Sequence, residues 1–111
     1  MQTEYTIFTP GVVEGQIRKV DFAKEPGYEA IRDIVEPLLD GHYMEHVSVL
    51  WGKDKRDMFV DEMGSLKHLP INNPATDIYR AYWLSQHPNA KPNDLVAIYG
   101  VAVIFHRIIW T

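Results

Sequence analysis

The stretch from Met58 to Tyr79, MFVDEMGSLKHLPINNPATDIY, constrains the fold more than any other part of this chain. It reads as the end of a strand, a turn at Gly64, an apolar loop holding Leu66, Leu69, Pro70 and Ile71, and then a helix start. Asn73 is expected to cap that helix with its side-chain oxygen. Pro74 suits the first helical position, and Asp77 lies where the helix dipole favours negative charge. A strand that gives way to a helix after so short a loop favours a sheet layer with helices packed against it. The apolar loop is expected to lie over the core.

The rest of the chain extends the pattern. Tyr5 to Phe8 and Gln16 to Phe22 read as two strands around a turn at Pro10-Gly11, paired antiparallel. Pro26-Gly27 opens a helix whose apolar face is Tyr28, Ile31, Val35 and Leu38. Pro37 removes a donor and crowds the carbonyl of Asp33, so this helix is expected to end or kink near Glu36. Met44 to Trp51 alternates cleanly, with Val47, Val49 and Trp51 on one side and His46 and Ser48 on the other. Gly52 to Asp54 turns the chain and Lys55 to Asp61 returns. The second helix presents Ala75, Ile78, Tyr79, Tyr82 and Trp83, and Pro88 stops it. A last strand, from about Val101 to Trp110, is almost continuously apolar and is expected at the centre of the sheet. The predicted order is ββαββαβ: an α+β fold with a mostly antiparallel five-stranded sheet and two helices packed on one face. The 111 residues form one domain, residues 1–111.

Composition limits function. With 46% hydrophobic and 23% charged residues, the chain is ordinary globular material. It contains no cysteine, which excludes a disulfide scaffold, a thiolate zinc site and a cysteine nucleophile together. The N-terminus lacks the basic and apolar regions of a signal peptide, and Leu95 to Phe105 is too short to span a bilayer, so a cytoplasmic protein is expected. The net charge of −4 comes from mixed acids and bases without a basic stripe, which disfavours nucleic-acid binding.

The segment VDEMGSLKHLPINNPAT, with the later DLVAIYGVAVI, resembles a family of small proteins of unknown function found in phages, plasmids and bacteria. The matching positions are Pro10 and Gly11; Val60, Asp61, Glu62, Gly64, Leu69, Pro70, Asn73, Ala75 and Thr76; and Asp94, Gly100, Ala102, Val103 and Ile104. The chain departs from the pattern after the first helix, where Glu36 to Tyr43 replaces a shorter Gly-Gly-Tyr step, and at His68, where a glycine is usual. The resemblance implies an accessory protein of a phage or mobile element and brings no activity with it.

No catalytic motif is present: no nucleophile elbow, Walker loop or Rossmann glycine pattern. Asp61 and Glu62 are adjacent on a strand and point to opposite faces, so a turn-shaping role for Asp61 outweighs acid–base work. His42 and His46 would lie roughly 13 Å apart on an extended strand, too far to share one metal. His106 could meet His46 only if their strands were neighbours. A metal site and a cofactor are not expected. Two functions remain. One is a non-enzymatic interaction protein that binds a host or phage protein, or a second copy through a strand edge, with Tyr43 and Trp83 as exposed contact residues. The other is a binder of a small anionic metabolite or nucleotide, in a pocket between the loop Leu66–Asn73 and the sheet, with His68, Tyr79 and Arg80 as polar groups. An enzyme ranks third.

Overall fold

The computed structural model describes residues 2–39, 43–91 and 96–107. Its elements are β1 (Gln2–Phe8), β2 (Gln16–Asp21), α1 (Tyr28–Leu38), β3 (Met44–Trp51), β4 (Asp54–Asp61), α2 (Asn73–Gln86) and β5 (Ala102–Phe105). The order is the ββαββαβ read from the sequence. All five strands join one sheet in the order β2-β1-β5-β4-β3, and every pairing is antiparallel. β5 is the central strand, as its continuous apolar run implies. Only Ala102–Phe105 of the expected longer strand is described as strand; positions 108–111, like His42, lie outside the described residues.

The helices do not share a face. Successive residues of a strand point to opposite sides. Tyr5, Ile7, Phe59, Val103 and Phe105 pack with Ile31, Val35 and Leu39, whereas Phe8, Met58, Val60, Ala102 and Ile104 pack with Ala75, Ile78 and Tyr79. α1 therefore covers one side of the sheet and α2 the other, which corrects the expectation of two helices on one face. The sign was in the sequence: β4 and β5 are apolar at consecutive positions because both of their faces are buried. On the α1 side, Phe105 meets Phe59 edge-on at 5.8 Å and Tyr5 at 5.3 Å. Each fully buried side chain of this size contributes about 1.5–3 kcal/mol.

α1 runs past Glu36 and through Pro37 to Leu38. The proline sits in the last turn, where one more residue is all the helix needs. The amide of Leu39 then closes the end on the carbonyls of Val35 and Glu36. Ile31 and Val35 are its buried residues; Tyr28, expected on that face, is 51% exposed and carries Arg32 above its ring.

α2 is capped one residue earlier than the sequence suggested. The side chain of Asn72, not Asn73, accepts from the amide of Ala75 at 3.2 Å. Asn72 is fully buried, and its amide group also donates to the carbonyls of Phe8 and Gly100, both at 2.9 Å. One side chain thus ties the helix start to the end of β1 and the approach to β5. Thr76 adds a second tie: its hydroxyl accepts from the amide of Ile98 at 2.9 Å.

Candidate functional site

The turn after β4 is built around Asp61. Its carboxylate is nearly buried, accepts from the amide of Met63 at 2.8 Å, and pairs with Lys67 Nζ at 2.9 Å. Its carbonyl accepts from the amide of Gly64. The chain then winds through a short helical turn, Lys67 N to Met63 O, and His68 takes a positive φ of 56° before Leu69 bonds back to Gly64. Asp61 shapes the turn, as its position suggested, and Glu62 points to solvent.

The loop that follows does not lie wholly over the core. Leu66 is 71% exposed and Ile71 43%; Leu69 alone of its apolar residues turns partly inward. There it helps form a cavity of about 190 Å³ with Pro10, Leu38, Leu39, Asp61, Pro70, Gly100 and Val101. A cavity between this loop and the sheet was expected; its walls are apolar apart from Asp61. His68, Tyr79 and Arg80 are not among them.

Those three residues occupy different surroundings. His68 is exposed in the turn. Arg80 donates from Nε to the carbonyl of Val96 at 3.4 Å. Tyr79 lines a separate cleft of about 140 Å³, whose other walls include Glu45, Asp61, Glu62 and Ser65. Desolvation, then the carboxylate of Glu45 and Tyr82, holds the Tyr79 phenol above its ordinary value of 10.0. Carboxylates around this phenol repel an anion, so the cleft is unsuited to the anionic ligand expected of these residues.

The two expected contact residues also differ. Tyr43 is 75% exposed beside β4, its carbonyl accepting from the amide of Glu62. Trp83 is half-buried, stacked on His87 at 4.0 Å with Tyr79 on the other side at 6.3 Å. Its indole Nε1 is buried without an acceptor among the described residues. Tyr43, Met63 and Leu66 are thus large apolar side chains exposed around one turn.

The described histidines do not converge. β4 separates β5 from β3, and His46 projects to the α1 side while His106 projects to the other. His46 Nε2 lies 2.6 Å from the Asp57 carboxylate, and His106 Nε2 lies 2.6 Å from the Thr6 hydroxyl. Among the described residues no group of three or more histidine or acidic side chains is placed to hold a metal ion. Also among them, no helix is long and apolar enough to cross a membrane. Sequence reasoning missed Asn72 and a cluster of Trp51, Arg56 and His106 on the α2 side. The second was recoverable in principle from strand alternation, but only with the strand order known.

Comparison with protein-family models, with curated proteins and with solved structures finds no match to this chain.

Proposed function

We propose that this protein is a non-enzymatic interaction module that binds a host or phage protein, in keeping with its resemblance to small proteins of mobile elements. The observation that carries this reading is the exposure of Tyr43, Met63 and Leu66 around a turn fixed by the Asp61–Lys67 pair. Exposed aromatic and large apolar side chains on a rigid support are the usual anchors of a protein interface. The half-open, largely apolar cleft beside Leu69 offers a recess for an apolar side chain of a partner.

Of the two edges of the sheet, β2 and β3, the first is poorly suited to pairing with a second copy. The free edge at β2 is solvent-exposed, but two-fold antiparallel pairing of that strand sets Arg18 against Lys19, or Lys19 against itself. Like charges directly opposite across a strand pair are destabilising. The test is capture with tagged protein and with the double variant Tyr43→Ala, Leu66→Ser, whose sites are exposed enough to leave stability within about 0.5 kcal/mol. The expected result is a stoichiometric partner that the wild type retains and the variant loses. Identical capture by both sinks the assignment of this surface.

A further inference from the structure

We propose a second site, independent of the partner surface: an open cleft on the α2 side of the sheet that binds a small planar anion, an aromatic ring bearing a phosphate or carboxylate. Trp51, Arg56 and His106 line a space of about 370 Å³ there, at the lower end of the range that small-molecule sites occupy.

Strand register brings these residues together. Glu4 faces Lys19 across β1 and β2, and the amide of His106 donates to the carbonyl of Glu4 at 2.9 Å. Met58 faces Ile104, so the same register carried two residues further sets Arg56 beside His106; Val49 faces Arg56 in turn. The result is a row of side chains on one face, Lys19, Glu4, His106 and Arg56, closed at its end by the Trp51 indole.

The walls are held in place before any ligand arrives. His106 is held at Nε2 by a hydrogen bond with the buried Thr6 hydroxyl at 2.6 Å, and its Nδ1 lies 3.3 Å from the Glu4 carboxylate. The indole of Trp51 stands perpendicular to that ring, 88° between planes and 5.0 Å between centroids, and touches Phe8 behind it at 6.1 Å. With Nε2 bonded to Thr6 and Nδ1 facing Glu4, the ring serves as a wall. The charged contact is left to Arg56. Its Nη1 donates to the carbonyl of Lys55 at 2.8 Å, and its Nη2 meets Asp54 at 3.4 Å. The Asp54 side chain is 70% exposed, so an incoming anion displaces a loose, solvated contact. Glu4 does not compete for Arg56: it lies beyond His106 and is shared with Lys19 at 3.7 Å. A planar guanidinium beside an indole suits an oxyanion attached to a flat ring, because the fork binds the oxygens while the indole packs on the ring.

The test is titration of ¹⁵N-labelled protein with adenosine 5′-monophosphate, benzoate, adenosine and inorganic phosphate, following the Trp51 indole N–H and the Arg56 Nε–H. The expected result is a saturable shift of both signals with the monophosphate or with benzoate. Which of the two binds tells a nucleotide from an aromatic acid. Adenosine and inorganic phosphate, each holding half of the recognised chemistry, should bind about tenfold more weakly, and Arg56→Gln should weaken the better ligand about tenfold. The proposal is overturned if neither planar anion saturates, if adenosine binds as well as its monophosphate, or if Arg56→Gln binds unchanged.

Discussion

Asn72 should be the most costly single polar side chain to remove. Its truncation to alanine deletes the cap on Ala75, worth about 1 kcal/mol. It also deletes two hydrogen bonds to the buried carbonyls of Phe8 and Gly100, each contributing about 1 kcal/mol net. The expected destabilisation is about 3 kcal/mol, which at an m-value near 2 kcal/mol/M lowers the urea midpoint by about 1.5 M. Asn73→Ala, at an exposed neighbouring position, should change stability by less than about 0.5 kcal/mol. Asn72→Asp separates the two roles of the side chain. It keeps an oxygen to cap Ala75 but turns the donor amide into an oxygen facing two carbonyl oxygens, so it should cost at least as much as alanine. Equilibrium urea unfolding followed by circular dichroism measures all three. A wild-type midpoint for Asn72→Asp would mean that capping alone matters. Equal losses at positions 72 and 73 would refute the buried triple contact.

Two further outcomes follow from the backbone and from titration. Gly52 and Gly100 both have positive φ, 67° and 82°. A Cβ at Gly52 would meet nothing within 4 Å, while one at Gly100 would fall 2.8 Å from Leu69 Cδ1. Gly52→Ala should therefore cost about 1–2 kcal/mol for conformation alone, and Gly100→Ala should cost at least as much in the same unfolding assay, since the Leu69 side chain must also move aside; a smaller cost at Gly100 would contradict this. For Tyr79, the folded-state pKa is raised above 10.0, first by desolvation and then by Glu45 and Tyr82. The folded protein then holds this proton more tightly than the unfolded chain. The resulting stability is present below pH 10 and is lost as pH rises through the folded-state value. Urea midpoints measured across that range should fall more steeply for wild type than for Tyr79→Phe, and parallel curves would contradict the shift.

Much of the fold was legible locally. The alternation of Met44–Trp51, the returning β4 and the apolar β5 specify their strands and the central position of β5. What local pattern does not specify is the side on which each helix lands. The runs MFV in β4 and AVIF in β5 are apolar at every position because two layers press on them, yet a run without alternation carries no label for either face. The Asn72–Asn73 ambiguity has the same origin. Both residues are competent caps, and the choice falls to the one whose amide can also reach Phe8 and Gly100, contacts that exist only in the assembled fold. The candidate sites were less legible. Tyr43 was named from its chemistry and is exposed, but His68, Tyr79 and Arg80 are close in sequence and diverge in space. Trp51 and Arg56 are near neighbours on one hairpin, but His106 lies far along the chain and joins them only through the register of three strands.

The central place of β5 makes one short segment the link between two halves of the sheet. β1–β2 and β3–β4 are each hairpins of neighbouring segments, but neither touches the other through a strand pair until Ala102–Phe105 slides between them. Without that segment, each hairpin keeps an unpaired inner border, on β1 or on β4. An unpaired border of this kind is a template for strand addition, so a chain whose β5 is displaced is open to association with its neighbours. Docking β5 closes loops across nearly the whole sequence, the kind of non-local contact that slows folding.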